Sequence, residues 1–317
     1  MKRIKVLTCI SVFVLAFMVG CKSTKVEEPE IPETYMHPLA MLSDDLSIYM
    51  SVPVKEHKEL VTNIVTSIIY GMTAENAAKI CDRTETLYSG LGTVKDRSHL
   101  ETASWTSVPK IAVSSLMTQK NGFKKQIVQF DEVSLAKYYN AQSGFEIAFP
   151  STKIVCFSRT LDPMLEKFAR VEPIADTEYN KWINRESNDI LFYITRPGQY
   201  LRNLIGQSIS IGTDKIYGSL SYKPDPKRPG HYSGTYNLSF YIHLTNKKAA
   251  SALRGLLSLS FSMVGGSVEQ TDAETLFLSG VEVTDKQIKD LFMRDPITGK
   301  HYKVVGDEVI EESVRNK

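Results

Sequence analysis

Ser107 and Lys110 form a Ser-x-x-Lys pair, residue types and a spacing that could make a nucleophile. On a helix, a lysine three residues after a serine lies one turn away and can take the hydroxyl proton. The chemistry would be hydrolysis through an acylated serine, as in an envelope serine hydrolase. Ser-x-x-Lys nucleophiles work with companion Ser-Asp-Asn and Lys-Thr-Gly segments. Here Ser187-Asn188-Asp189 and Thr298-Gly299-Lys300 have neither order, and Gly206-Gln207-Ser208-Ile209-Ser210 does not form a Gly-x-Ser-x-Gly elbow. The structural reading is that Ser107 caps a helix over Pro109 to Gln119 and Lys110 faces water. No catalytic set is expected.

Other chemistry is absent from the pattern. Ser89-Gly90-Leu91-Gly92-Thr93 lacks the third glycine and the lysine of a phosphate-binding loop. His37, His57, His99, His231, His243 and His301 are scattered without ligand spacing, so neither a metal nor a cofactor is expected. Of the four cysteines, Cys9 lies in an apolar leader and Cys21 at its end, leaving Cys81 and Cys156. Two alternatives remain for that pair: a disulfide, which an exported protein can form, or two buried thiols that behave as small apolar groups.

Residues 1–20 explain the export. Lys2, Arg3 and Lys5 precede a mostly apolar run from Val6 to Val19, and Gly20 precedes Cys21. This is the order of a signal peptide, and the run is shorter than the ~20 apolar residues a spanning helix needs. Met18-Val19-Gly20-Cys21 resembles the bacterial lipobox, with Met18 in place of the usual leucine, a form similar to spirochaetal lipoproteins. The resemblance implies cleavage before Cys21 and several acyl chains on that cysteine, enough for stable anchoring. Residues 21–38 then read as a tether, rich in Glu and Pro and poor in large apolar side chains. Extended, it would reach roughly 50 Å at about 3.1 Å per residue. Lys22 is not the Asp that retains enteric lipoproteins at the inner membrane, which favours the outer membrane. Removing Lys2, Arg3 and Lys5 from the 38 Lys and Arg leaves 35, against 36 Asp and Glu, so no charge excess points to nucleic acid.

The mature chain shows self-similarity. Asp45-Leu-Ser-Ile-Tyr-Met-Ser-Val-Pro53 aligns with Asp189-Ile-Leu-Phe-Tyr-Ile-Thr-Arg-Pro197 at a constant offset of 144. Both read as strands ended by a proline, which cannot donate to a continuing ladder. A helix pattern follows in each: Leu60, Val61, Ile64, Val65, Ile68 and Ile69 in the first, Leu201, Leu204 and Ile205 in the second. Two strand-like runs come next, Thr86–Val94 with His99–Thr106 and Lys215–Tyr222 with Thr235–Leu244. Each pair leads to a helix, Pro109–Gln119 and Lys247–Phe261, the latter capped by Thr245 or Asn246. A strand and a helix close each copy, at Lys153–Arg159 with Asp162–Arg170 and at Thr275–Val283 with Thr284–Met293. The first copy has an extra hairpin near Tyr138–Phe149.

These elements make an α+β fold of two divergent αβ repeats, with mainly antiparallel sheets and helices packed on one face. Repeat 1 spans 39–170, a connector with Trp182 spans 171–187, repeat 2 spans 188–296, and 297–317 form a charged tail. Treponemal outer-membrane lipoproteins, which insert amphipathic helices and bind lipid, are similar in combining a lipid anchor with an αβ duplication; no residue motif carries a site across. The stripe Ala249, Ala250, Leu253, Leu256, Leu257 and Phe261 suits a helix packed on a sheet, lying in a membrane interface or covering a lipid-sized cavity. The proline-rich loop Tyr222–Tyr232 reads as a charged hairpin loop or as a contact for a partner, since aromatic and Arg residues often anchor interfaces. The expectation is a lipid-anchored, non-enzymatic envelope protein that meets the membrane through its acyl chains and binds a lipid or protein partner, or acts as a purely structural surface lipoprotein.

Overall fold

The computed structural model describes residues 36–68, 72–94, 97–141, 143–197, 212–228, 231–292, 301–305 and 308–312. Ile69 at the end of the first helix stripe, the second stripe at Leu201–Ile205, and Cys21 lie outside them. Twelve strands form one antiparallel sheet, in the order β11-β12-β10-β9-β8-β1-β2-β3-β7-β6-β5-β4. The strands of the first half are β1 (Ile48–Pro53), β2 (Thr84–Val94), β3 (Arg97–Thr106), β4 (Phe123–Phe130), β5 (Val133–Asn140), β6 (Phe145–Ser151) and β7 (Ile154–Ser158). Those of the second are β8 (Ile190–Ile194), β9 (Thr213–Pro224), β10 (Tyr232–Leu244), β11 (Ser267–Gln270) and β12 (Thr275–Thr284). The tail forms a separate hairpin, β13 (His301–Val305) with β14 (Glu308–Glu312).

The α+β class read from the sequence holds. The strand order runs alike outward from the centre, β1-β2-β3-β7 one way and β8-β9-β10-β12 the other. The two aligned strands are the central pair: β1 and β8 run antiparallel, with Tyr49 opposite Tyr193. Five residues of β1 are buried, because the strand is covered on both faces and paired on both edges.

Successive strand residues point to opposite faces. Ile48, Met50 and Val52 of β1 face one way, toward α1 (Lys58–Ile68), α2 (Ala74–Cys81), α3 (Lys110–Leu116), α6 (Lys247–Ser262) and α7 (Asp285–Phe292). Tyr49 faces the other way. There a buried turn at Pro38–Met41, α4 (Asp162–Ala169) and α5 (Glu178–Ile183) cover the sheet. The main helices thus lie on one face, and a second, smaller layer lies on the other. Met36 and Pro38 are already core residues, so the folded chain starts ahead of the boundary drawn at 39.

Polar contacts fix this second layer. Ser43 donates from its backbone N and from Oγ to the buried Glu101 carboxylate, both at 2.7 Å, and His99 Nε2 lies 2.8 Å from the same group. Lys167 of α4 donates to the Leu42 carbonyl at 2.8 Å. Lys137 of β5 is buried between Glu146, at 2.8 Å, and Asp162, at 2.6 Å. Burial opposes its charge, but the Asp162 and Glu146 carboxylates win and hold its pKa above the usual lysine value. Glu146 also accepts from the Leu161 N–H, so the network seats the start of α4. Met164, Leu165 and Phe168 are then at most 1% exposed, each burial contributing about 1.5–3 kcal/mol.

A row of aromatic residues crosses the second half on the Tyr49 face. Tyr193, Tyr217, Tyr241 and Phe277 stand directly opposite one another on β8, β9, β10 and β12. Their ring centroids are 5.9, 5.2 and 4.7 Å apart, so each ring covers the next. On the opposite face Gly218 lets β10 approach closely: a Cβ there would sit 2.2 Å from the Ser239 carbonyl oxygen and 2.5 Å from Phe240 Cβ. Gly218→Ala should therefore lower unfolding stability by about 3 kcal/mol, read from the midpoint of urea denaturation at unchanged slope.

Candidate functional site

The notable feature of the helix-covered face is that its layers do not fill the space between them. The floor is set by alternation along the strands, with Met50 and Val52 of β1, Leu87 of β2 and Phe157 of β7 all pointing inward. The roof is α1 and α2. Helix α1 places Leu60, Val61, Ile64 and Val65 on one side at helical spacing. Helix α2 starts at Thr73, whose Oγ1 accepts from Asn76 N at 3.2 Å, and turns the small residues Ala77 and Cys81 inward. Small side chains in the roof leave a cavity of about 140 Å³.

Its lining is apolar apart from Thr84 and Thr102, and both hydroxyls are already used, on the carbonyls of Ile80 and Phe157. A cavity with no free polar partner does not hold water well and suits an apolar occupant. The Cys81 thiol in its wall is pushed up from its usual pKa by burial, although Thr62 Oγ1 at 3.7 Å partly opposes this. A second cavity of about 220 Å³ lies along the same face, between β1, β8, β9, β10 and β12. Met50 and Ile288 line both, so Ile288 of α7 stands between two parts of one apolar trough.

At the start of α1, His57 is 1% exposed and donates from Nε2 to the Asn188 carbonyl at 2.8 Å, tying the helix to the residues before β8. Its ring lies 5.6 Å from that of Tyr236. Among the described residues, His57 Nδ1 and the Tyr232 and Tyr236 hydroxyls are buried without a hydrogen-bond partner. Burial lowers the His57 pKa, with the Asn188 carbonyl and Asp189 opposing. Burial also lifts both tyrosines, Tyr232 to about 12.

The residues singled out in the sequence are not gathered here. Ser107 is exposed, and its Oγ is 3.4 Å from the Arg83 carbonyl. It does not cap the helix: α3 begins at Lys110 with Pro109 in the capping position and no side-chain cap, because the prolines φ and missing N–H already suit a helix start. The disulfide considered between Cys81 and Cys156 is not formed; both thiols are free and buried. They sit on opposite faces of the sheet, Cys81 in the trough wall and Cys156 on the Tyr49 side, bonded to the Ala148 carbonyl. Among the described residues no three His, Cys, Asp or Glu gather around a metal-sized space. The sequence allows a lipid-sized cavity beneath α6; the trough lies instead beneath α1, α2 and α7.

Helix α6 is capped by Asn246, whose Oδ1 accepts from Ala249 N at 2.9 Å, and packs through Ala250, Leu253 and Leu257. Its other side also carries apolar residues. Leu259, Met263 and Val264, at 72%, 87% and 62% exposed, crowd its C-terminal end. Among the described residues no helix is long and apolar enough to cross a membrane.

The pattern of the family described as outer membrane-associated lipoprotein TP0453 matches residues 33–289, and the chain belongs to that family. Crystal form I of TP0453, a treponemal lipoprotein, is 14% identical and superposes with a TM-score of 0.62, covering 81% of this chain and 97% of that one. Crystal form III, with a TM-score of 0.59, covers 80% and 96%, again at 14% identity. Crystal form IV, with a TM-score of 0.57, covers 81% and 96% at the same identity. At this identity the likeness is one of fold. No curated protein sequence matches the chain.

The lowered His57 pKa makes a pH prediction. The folded state resists protonation, so on acidification below the unfolded value of about 6.5 the unfolded chain takes up the proton first. Unfolding free energy should fall as pH drops from 7 toward 5, by at most about 1.4 kcal/mol per pH unit for this histidine. His37, also lowered by burial, adds in the same direction. Urea melts at pH 5, 6 and 7 should show a smaller slope in His57→Gln than in the parent.

Proposed function

Starting from membership of this lipoprotein family, we propose that the protein is held at the outer membrane by acyl chains on Cys21 and takes an acyl chain of a lipid into its apolar trough, without catalysing a reaction. The observation that carries the reading is the trough, two cavities of about 140 and 220 Å³ that share Met50 and Ile288 and have almost no polar lining. Binding sites for small molecules are concave and largely apolar, with few polar groups to orient the ligand. A lining this poor in polar atoms selects for hydrocarbon. The exposed apolar end of α6 supports the same reading, since contiguous exposed apolar side chains mark contacts with membranes or partners. The absence of companions for Ser107 and Lys110 favours a binding role over hydrolysis.

Two experiments test this. Cys21→Ala should release the protein from membranes and abolish incorporation of acyl label; retention of both would overturn the anchor. Ala77→Leu projects extra carbon into the cavity of about 140 Å³ from a residue that is 0% exposed. It should leave stability within about 1 kcal/mol of the parent, while reducing binding of a fluorescent C18 fatty acid at least tenfold. Equal binding by the folded variant, or no binding by the parent, would refute the lipid reading.

A further inference from the structure

The two ends of the twelve-stranded sheet are unlike. One end is β11, four residues long and packed beside α6. The other is β4, eight residues, Phe-Lys-Lys-Gln-Ile-Val-Gln-Phe, paired with β5 in unbroken register from Phe123–Asn140 to Phe130–Val133. It has no proline, and Asp131 and Glu132 turn it into β5, with Asp131 at φ 49°. The pair flanking a two-residue turn is hydrogen-bonded in both directions, and such pairs alternate along an antiparallel ladder. The backbone groups of Lys125, Ile127 and Gln129 therefore point away from β5, toward an edge that no strand among the described residues covers. The side chains of these three are exposed, Ile127 at 47%, whereas Gln126, Val128 and Phe130 are half-buried beside the α4 layer.

We propose that β4 pairs with β4 of a second copy of this chain, antiparallel about a two-fold axis at Ile127. An open edge strand is a template for another strand, and lysines on it normally discourage pairing. Here their effect depends on direction. In parallel, in-register pairing Lys124 and Lys125 meet their own copies, and like charges directly opposite are destabilising. In antiparallel pairing the Lys124-Lys125 end of one strand lies beside the Asp131-Glu132 turn of the other. With Ile127 opposite Ile127 of the second copy, Lys125 faces Gln129 and Lys124 faces Phe130, which brings both lysines beside the Asp131-Glu132 turn of that copy. Symmetry repeats each contact, so the charges select this orientation and both exposed isoleucines are covered. The interface is small, at the low end for specific association. Copies confined to one membrane surface meet at a much higher effective concentration than in solution.

The test uses the full chain in detergent micelles. Ile127→Cys should form a disulfide-linked dimer on mild oxidation that neither the parent, with Cys81 and Cys156 buried, nor Gln126→Cys forms. In sedimentation equilibrium Lys124→Glu should weaken the dimer about tenfold, the scale expected for two reversed exposed pairs. Glu132→Lys should weaken it similarly, and the double exchange should restore it. All three positions are exposed, so thermal midpoints should match the parent and serve as the folding control. A monomer at every concentration, a dimer that Ile127→Cys does not cross-link, or a dimer indifferent to the charge reversals would overturn the proposal. Loss of fatty-acid binding in Ala77→Leu leaves this interface untouched, so the two readings fail independently.

Discussion

The antiparallel pairing of β1 with β8 is the constraint on which the rest depends. It joins the two halves of the sheet through Tyr49 opposite Tyr193, and it buries a strand on both faces. A strand in that position has no freedom to slip, since a shift of one residue would send every side chain to the wrong side. The Tyr49 hydroxyl makes the cost of a slip concrete. It donates to the Ser43 carbonyl at 2.7 Å, accepts from Leu46 N at 3.2 Å, and its ring stacks 4.1 Å from Tyr179. Turned to the other face, that hydroxyl would point into a trough with almost no polar partner. Register at the centre thus fixes which face is polar-clamped and which holds the apolar space.

The clamped face shows how the chain enters the fold. Residues just after the Pro- and Glu-rich stretch are held by Glu101, His99 and Lys167 rather than by apolar packing alone. Removing one partner of such a buried network leaves the others uncompensated, which costs more than the bonds themselves contribute. Met36, Leu39 and Met41 then add burial on the same short segment.

Much of this was legible in the sequence because periodicity and punctuation are local. Asp45–Pro53 and Asp189–Pro197, aligned by an offset of 144, are the two central strands, and Asn246 caps α6 where the pattern placed a start. Other features depended on what lies across space. Strand β4 was not read as a strand, since Lys124 and Lys125 interrupt its alternation and only pairing with β5 completes it. Helix α2 was missed because Ala74–Cys81 is short and weakly apolar, and its small residues matter only opposite a sheet. The separation of Cys81 from Cys156 by the thickness of the sheet has no trace in their spacing.

The trough exists where the two halves stop matching. Helices α3 and α6 follow corresponding strand pairs and pack on the same face. The closing helices do not: α4 lies on the Tyr49 face, whereas α7 stays on the Met50 face. The inserted strands β5 and β6 supply the reason. Lys137 and Glu146 point to the Tyr49 face and bind the start of α4 there through Asp162 and the Leu161 N–H. The second half has no such insertion, so α7 is free to pack near the sheet centre and brings Ile288 against Met50. One helix thus leaves the face and another intrudes on it without matching its shape. Close packing is the rule for protein interiors, and apolar gaps cost stability in proportion to their size. A fold that keeps two adjoining gaps in its most apolar layer has retained something that packing alone would remove, and that is the physical reason to look for its occupant there.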